Sequence, residues 1–253
     1  MTNHPFFLAY FGKPHSGKTY DLIQFVKRCG RETIFVYNSG HDKDWIGFIE
    51  IELWSDAKSK ELYFTYKGRD YIFHKHFMKK FKGKRVKAMM ADEKLTEQLL
   101  YKRLSRKGYR GLFFIIDDAT NVFSSQLTQA QKACFYRAKH VGIWFALVFH
   151  DPNMFPNGAW GALTLARFFK NNVSPPIGKK NVIPHFKQVM KSFEVLQDAP
   201  LYSHCTIVMD TGELRIKKRR LAKKKPAIQR KTTRKTTTRK KRPQKRSTSK
   251  TKK

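Results

Sequence analysis

The sequence predicts an α/β fold in which helices cover a mostly parallel sheet. Two observations predict it: helical segments alternate with short strands, and several strands are apolar along their whole length, as is typical of strands buried on both faces. FFLAYF (6–11), LFFII (112–116) and IWFALVF (143–149) are strands of this kind. A chain of 253 residues is long enough for one such domain.

The other elements follow from apolar periodicity and from turn residues. Leu22, Ile23, Phe25, Val26 and Cys29 have helical spacing, and Gly30 ends that helix. The remaining predicted elements are a strand at 32–38, a hairpin at 61–74 with KGRD as its turn, a short strand at 86–92, a helix at 93–106, a helix at 125–140, helices at 159–169 and 183–197, and a hairpin around 210–212.

Basic residues are unevenly distributed along the chain. Lys and Arg total 53 against 19 Asp and Glu, and the segment 217–253 holds 20 of the 53 with no acidic residue. That segment has no apolar pattern, so we expect it to be disordered until it meets a partner. We predict a folded domain at 1–216, with the hairpin 61–74 as an insertion, and a polybasic tail at 217–253.

Cys29, Cys134 and Cys205 are far apart, without the spacing of metal ligands. We therefore expect buried thiols in a reducing compartment. The apolar stretch 143–149 is far too short for a membrane span, and the N-terminus does not resemble a signal peptide. The predicted location is intracellular, without stable membrane insertion.

A glycine-rich segment, GKPHSGKT, follows the first strand and opens the first helix. It matches GxxxxGK[ST], in which backbone N–H groups and the helix N-terminus hold phosphates. Lys18 can reach the β- and γ-phosphates, and the Thr19 hydroxyl can bind Mg²⁺. Glycine would adopt the loop conformation most readily at position 15, so we expect His15 to mark a conformational variant of the loop. The predicted ATP-binding residues are Gly12, Lys13, Pro14, His15, Ser16, Gly17, Lys18, Thr19 and Tyr20.

Polar residues follow two other buried strands. Asp117 and Asp118 end FFIIDD, and His150 ends ALVFH. We predict that Asp117 binds Mg²⁺ through water and that Asp118 orients or deprotonates the attacking water. Alternatively, one of these aspartates caps the following helix. His150 is a candidate γ-phosphate sensor or, equally, a histidine satisfied in its loop.

Phosphoryl transfer usually also needs an arginine near the γ-phosphate. Arg137 shortly precedes the strand that ends in His150, and we predict that it acts in trans across a subunit interface. Arg167 and Arg110 are alternatives, and an arginine exposed on a helix is the default interpretation of Arg137.

Over residues 5–172, the chain resembles the FtsK–HerA superfamily of DNA-pumping ATPases in four features. They are GKPHSGKT, FFIIDDA, the spacing from Arg137 to Gly142, and a strand that ends in a polar sensor. The chain is most similar to viral packaging ATPases and to zonula occludens toxin-like phage proteins. The resemblance implies a RecA-like P-loop (ASCE) fold, an added strand between the two Walker strands, and a ring, expected to be a hexamer, with DNA at its centre. Two features depart from the family pattern: His150 replaces the usual glutamine or asparagine, and the transmembrane segment of filamentous-phage members is missing.

The positive charge predicts a polyanionic partner, and we expect sequence-independent DNA binding by the tail. A nuclear-localisation signal, a solubilising role and binding to anionic membrane are alternatives. HKHFMKKFKGKRVK (74–87) interleaves phenylalanine with basic residues. It lines a DNA channel or forms the solvated face of a hairpin.

The leading prediction is therefore an ATP-driven DNA translocase that packages a viral genome, with a capsid or portal vertex as a further partner. It would work in the host cytoplasm or nucleus, or associated with the virion. The alternatives are a related role in phage assembly or conjugation-type DNA transfer, a non-motor DNA-binding protein, and a small-molecule kinase.

Overall fold

A computed structural model describes residues 6–31, 33–38, 45–90, 93–124, 126–170 and 176–219. The predicted tail therefore lies outside the described residues from position 220 onward, as do the last two residues of the predicted strand 86–92. The strands are β1 (Phe7–Phe11), β2 (Thr33–Asn38), β3 (Ile49–Asp56), β4 (Glu61–Tyr66), β5 (Arg69–Ile72), β6 (Arg85–Met90), β7 (Leu112–Asp117), β8 (Trp144–Phe149), β9 (Leu165–Phe169), β10 (His204–Val208) and β11 (Leu214–Lys217). The α-helices are α1 (Lys18–Arg28), α2 (Phe73–Phe81), α3 (Glu93–Leu104), α4 (Gln129–Val141) and α5 (Phe186–Gln197).

All the described strands belong to one sheet, in the order β11-β10-β9-β1-β8-β7-β2-β6-β3-β4-β5. The seven strands from β9 to β3 are parallel to one another, and antiparallel pairs extend the sheet at both edges. β8 lies between β1 and β7, so the added strand that the resemblance implied is present. The predicted fold class, a RecA-like P-loop NTPase fold with a mostly parallel sheet, is confirmed.

The central strands separate two apolar cores. Along β1, Phe7, Ala9 and Phe11 contribute to one core, whereas Leu8 and Tyr10 contribute to the other. Among the described helices, α1 packs on the second face, and α2 to α5 pack on the first. Because both faces are covered, β1, β7 and β8 are buried at every position, which explains their unbroken apolar sequences.

Local signals set several element ends. The Thr128 hydroxyl accepts the N–H of Gln131, and the Gln131 side chain accepts the N–H of Thr128. This capping box begins α4 later than the predicted position 125. In the β4–β5 turn, Lys67 and Gly68 have φ values of 52° and 69°, as a tight two-residue hairpin turn requires. That hairpin ends at Ile72, since α2 begins at Phe73.

The predicted helix at 159–169 is wrong. A 3₁₀ segment occupies Asn157–Ala162, and β9 follows it. β9 pairs in parallel with β1 and antiparallel with β10. These non-local pairings supply the backbone hydrogen bonds that β1 needs on its second side, and they override the local helical signal.

Candidate functional site

The segment Gly12–Thr19 connects the carboxyl end of β1 to the first turn of α1. Two of its residues have left-handed backbone conformations, with φ 58° at His15 and φ 97° at Gly17. The first value explains why glycine, which adopts positive φ without steric cost, would be favoured at position 15. The side chain of His15 is exposed. Ser16 is 1% exposed, and no described residue forms a hydrogen bond with its hydroxyl. The loop therefore carries a buried polar atom that a ligand in the loop would satisfy.

Lys18 lies across the opening of this loop. Its Nζ donates to the carbonyl oxygens of Gly12 at 2.6 Å and of Lys13 at 2.8 Å, and the side chain is 4% exposed. Burial lowers the pKa of Lys18 to about 8, and the nearby carboxylates of Asp117 and Asp118 partly offset that effect. The ammonium is thus held where a phosphate in the loop would meet it.

Asp117, the last residue of β7, is 4% exposed and has a different partner on each carboxylate oxygen. The Thr19 hydroxyl lies 3.3 Å from Oδ1, and the indole nitrogen of Trp45 lies 2.8 Å from Oδ2. Sequence reasoning missed Trp45. The one available signal was its position shortly after β2, because β2 pairs in register with β7.

The Thr19 hydroxyl and the Asp117 carboxylate fit a magnesium ion. Both are the hard oxygen donors that Mg²⁺ prefers, and Mg²⁺ usually keeps several waters and takes phosphate oxygens as further ligands. The described residues contain no cluster of three or more His, Cys, Asp or Glu side chains suited to a metal. A metal bound here would therefore depend on the nucleotide for part of its coordination.

Asp118 and His150 face each other next to Lys18. His150 Nε2 lies 3.2 Å from Asp118 Oδ1, and His150 Nδ1 lies 3.3 Å from Lys18 Nζ. When Nε2 carries the proton, Nδ1 can accept from Lys18 while the Nε2–H faces the negatively charged Asp118 carboxylate. The backbone N–H of His150 donates to the Thr120 hydroxyl at 3.0 Å, which fixes the end of β8.

Asp118 has φ 55°, a left-handed conformation that aspartate tolerates better than most residues. It precedes the 3₁₀ turn Ala119–Asn121 but makes no side-chain capping hydrogen bond. Asp118 therefore does not act as the side-chain cap that was an alternative from the sequence, and Asp117 contacts Thr19 and Trp45.

The candidate arginines are not brought together with these groups. Arg137 is exposed on α4, whose carboxyl end lies at the opposite edge of the sheet, since Gly111 N donates to Gly142 O just before β7. Arg110, also exposed, packs over Gly142 at that edge. Arg167 instead pairs with Asp21 of α1, and its Nε donates to the Thr206 hydroxyl at 3.0 Å. A role for Arg137 in trans stays a prediction.

Most of the remaining predicted groups line one cavity of about 760 Å³, a size typical of ligand sites. Gly12, Lys13 and Ser16 of the predicted loop are not among its lining residues. It is open at the carboxyl ends of β1, β7 and β8. The lining residues are Pro14, His15, Gly17, Lys18, Thr19, Tyr20, Ile23, Asp117, Asp118, Val148, His150 and Tyr202. The structure thus places a phosphate-type loop, a buried lysine, a hydroxyl–carboxylate pair and an Asp–His pair around a single space.

Away from the cavity, Cys29, Cys134 and Cys205 are buried and unpaired, and burial raises the pKa of each thiol. The expected buried thiols are therefore present. Of the described helices, none combines the length and the apolar character that crossing a bilayer requires.

No protein-family model and no curated protein matches this chain. Solved structures do match it. The genome packaging NTPase B204 of Sulfolobus turreted icosahedral virus 2, in complex with AMP, is 15% identical with a TM-score of 0.62, covering 87% of this chain and 100% of that chain. The DNA-packaging ATPase B204 of Sulfolobus turreted icosahedral virus is 14% identical with a TM-score of 0.60, covering 86% and 98%.

VirB4 of Thermoanaerobacter pseudethanolicus is 8% identical with a TM-score of 0.50, covering 85% of this chain and 89% of that chain. At these identities the likeness is one of fold. The similarity to these structures supports the P-loop NTPase fold that the short motifs first indicated.

Proposed function

We propose that this protein is an ATPase that uses hydrolysis to move DNA, and that its task is packaging a viral genome. One observation carries the ATPase part. Five side chains from three separate segments of the chain meet around one cavity, beside a loop of the phosphate-binding type. They are Lys18, Thr19, Asp117, Asp118 and His150. A structural role for the loop alone would not require this convergence.

The chemistry follows from the chain's own groups. The loop N–H groups and the Lys18 ammonium bind the phosphates, and Lys18 neutralises charge that develops as the γ-phosphate leaves. Thr19 and Asp117 would hold Mg²⁺, which supplies charge neutralisation at the β- and γ-phosphates. Asp118 orients the attacking water and accepts its proton, and the contact with His150 Nε2 holds the Asp118 carboxylate in position.

His150 is well placed to respond to the γ-phosphate, because it contacts both Lys18 and Asp118. When Lys18 turns toward a phosphate, it releases Nδ1 of His150. The Nε2–H of His150 can then donate to a γ-phosphate oxygen or keep its contact with the Asp118 carboxylate. We propose that this exchange reports whether a triphosphate or a diphosphate occupies the site.

Charge supports DNA as the moved polymer. The segment 73–87 contains no Asp or Glu. Its phenylalanines, Phe73, Phe77 and Phe81, are fully buried, so they are core residues and do not stack on bases. Its exposed basic residues at α2 and the following loop, which we name the α2 basic face, are His74, Lys75, His76, Lys79, Lys82 and Lys84. Arg85 is also exposed, but it lies beside Val26 and Trp45 on the opposite face of the sheet.

An exposed surface of one charge binds a phosphate backbone through counterion release and does not read base sequence. We propose that the α2 basic face and the polybasic segment 217–253 both contact DNA. The fold shared with two packaging ATPases of icosahedral viruses supports packaging as the process. We further propose, as finer parts of this function, a ring with ATP sites at subunit interfaces and Arg137 in trans, a capsid or portal vertex as partner, and a location inside the host cell or on the virion.

The direct test is ATP hydrolysis by the purified protein with and without double-stranded DNA. We expect DNA to stimulate hydrolysis, and Lys18→Ala to abolish hydrolysis while leaving salt-sensitive DNA binding intact. Displacement of a third strand from a DNA duplex then measures translocation. Absence of hydrolysis at any DNA concentration would refute the ATPase, and hydrolysis without strand displacement would refute the motor.

A further inference from the structure

A second cavity, of about 580 Å³, adjoins the first. The two cavities share Gly17, Tyr20 and Tyr202 in their linings. The second cavity is also lined by Asp21, Phe169, His204, Lys217 and Arg219. A ligand whose phosphates occupy the Gly12–Thr19 loop would therefore extend past Gly17 into this space, between two tyrosines.

Tyr202 is held in place by several contacts. It has φ 68°, and its ring packs so closely on Gly17 that a Cβ there would lie 2.4 Å from Tyr202 Cδ1. The Arg219 guanidinium lies 4.8 Å from the centroid of the Tyr202 ring. The Arg219 N–H donates to the Ser203 hydroxyl at 3.0 Å. With these contacts and 42% of its surface exposed, Tyr202 presents a flat aromatic surface to the cavity.

Tyr20 borders the same cavity and is 67% exposed. Phe169 and His204 also line it; both are buried, with ring centroids 5.2 Å apart. Burial, and then the charge of Arg167, lowers the pKa of His204 to about 4, so His204 is neutral near pH 7. Aromatic and uncharged surfaces suit a flat, uncharged heterocycle, and Lys217 and Arg219 supply hydrogen-bond donors for its polar edge.

We propose that the cavity between Tyr20 and Tyr202 is the nucleobase subsite of this protein, in which the base of a nucleoside triphosphate stacks on Tyr202. This inference rests on the proposed function, because it assumes that the triphosphate occupies the adjoining loop. It assigns to 200–219, a segment without any recognisable motif, the recognition of the nucleoside half of the substrate.

The test compares two probes that share their phosphates and differ in the base. Calorimetry measures binding of MgATP and of magnesium tripolyphosphate to the wild type, Tyr202→Ala, Tyr202→Phe and Tyr20→Ala in the full chain. One aromatic stacking surface contributes about 1–3 kcal/mol of base binding. We therefore expect Tyr202→Ala to weaken MgATP at least about fivefold and to change tripolyphosphate binding less than twofold.

Tyr202→Phe keeps the ring and should bind both probes like the wild type. Tyr20→Ala should weaken MgATP selectively and to a smaller extent, since Tyr20 is the more exposed of the two rings. Leu201→Ala is the matched control, because Leu201 is 42% exposed, precedes Tyr202 and does not line the cavity. Thermal unfolding without ligand checks that every variant is folded.

Equal weakening of both probes by Tyr202→Ala would overturn the inference, because Tyr202 would then act only through Gly17 and the phosphate loop. Unchanged MgATP binding in Tyr202→Ala would also overturn it, whatever Tyr20→Ala does, while leaving the proposed ATPase intact. If the wild type binds neither probe, the proposed function itself fails, and the subsite fails with it.

Discussion

The indole N–H of Trp45 donates to Oδ2 of Asp117 over 2.8 Å, and both side chains are buried. Because the other oxygen of this carboxylate faces the Thr19 hydroxyl, the indole fixes the rotation of the carboxylate at the predicted magnesium site. A hydrogen bond to a charged group contributes about 1.5–3 kcal/mol.

Trp45→Phe should therefore weaken the metal site without removing a ligand. We expect the Mg²⁺ concentration for half-maximal hydrolysis to rise about tenfold, with a smaller change in maximal rate at saturating Mg²⁺. Paramagnetic resonance of Mn²⁺ bound with nucleotide gives a second measurement that does not depend on turnover.

Trp54→Phe is the control, since the Trp54 indole donates to the Thr65 hydroxyl far from Asp117 in the sheet order. An unchanged Mg²⁺ requirement in Trp45→Phe would show that the indole contact does not position the carboxylate.

The lowered pKa of Lys18 predicts a pH dependence of nucleotide binding. Burial brings this pKa to about 8, whereas a bound polyphosphate favours the charged ammonium. Below pH 8 the group is already protonated and contributes little pH dependence. Above pH 8 binding must take up a proton, so the Kd for MgATP should rise by up to about tenfold per pH unit.

Calorimetry in two buffers with different ionisation enthalpies, between pH 7 and pH 9.5, measures the proton uptake directly. A Kd that stays constant to pH 9.5 with no proton uptake would contradict a buried, titrating Lys18 at the phosphate site.

Arg137 is exposed and lies outside the cavity of its own chain, so a catalytic role requires a neighbouring subunit. Arg137→Ala and Lys18→Ala should each be inactive alone. Mixed rings should regain activity, because the Lys18→Ala subunit supplies Arg137 to an intact site of the Arg137→Ala subunit. Hydrolysis measured across mixing ratios tests this complementation.

Repeating the mixing experiment with Arg110→Ala in place of Arg137→Ala shows which of the two exposed arginines acts in trans. Full activity of Arg137→Ala alone would exclude it as the arginine that acts in trans.

The α2 basic face should contribute to the salt dependence of DNA binding. Each phosphate that a basic side chain neutralises adds about −0.9 to the slope of log K against log salt. The triple variant Lys75→Gln, Lys79→Gln, Lys82→Gln should therefore bind DNA more weakly and with a slope that is shallower by about one unit for each phosphate no longer neutralised. Fluorescence anisotropy over a salt series provides the slope.

Lys187→Gln combined with Lys191→Gln is the matched control on α5, where both side chains are exposed. Equal slopes for the triple variant and the wild type would place the DNA-binding surface elsewhere.

Arg167 and Asp21 form an ion pair in which the side chains are 16% and 15% exposed. Removing one partner of a largely buried pair leaves the other charge uncompensated and typically costs about 3–5 kcal/mol. Arg167→Met should therefore lower the free energy of unfolding by roughly that amount, and adding Asp21→Asn should recover part of it.

Chemical denaturation measures both changes. Arg215→Met removes an arginine from an exposed pair with Glu213 and should have no measurable effect. If Arg167→Met is as stable as the wild type, the pair is not a structural element, and a catalytic role for Arg167 regains support.

The fold class and the centre of the site were predictable because their signals are local. Apolar strands identify the parallel sheet, and the carboxyl ends of parallel strands lie at one edge, so residues following β1, β7 and β8 were expected at that edge. They meet because β8 lies between β1 and β7 in the sheet. The convergence of Lys18, Asp117 and His150 follows from that rule.

The missed features depend on contacts between distant parts of the chain. Trp45 is 72 residues from Asp117, and Arg167 is 146 residues from Asp21. β9 was mistaken for a helix because its strand pairing involves β1 and β10, which local periodicity does not encode. The roles of Tyr202 and Arg219 could not be predicted either, since neither belongs to a motif.

The contact between Arg219 and Tyr202 also determines where the polybasic segment leaves the domain. Arg219 itself lines the second cavity, and the chain continues from it into the polybasic sequence. If that sequence binds a polyanion, as we propose, the polyanion is covalently tethered to a residue of this cavity. Its effective concentration near the cavity then depends on the tether and not on its concentration in solution.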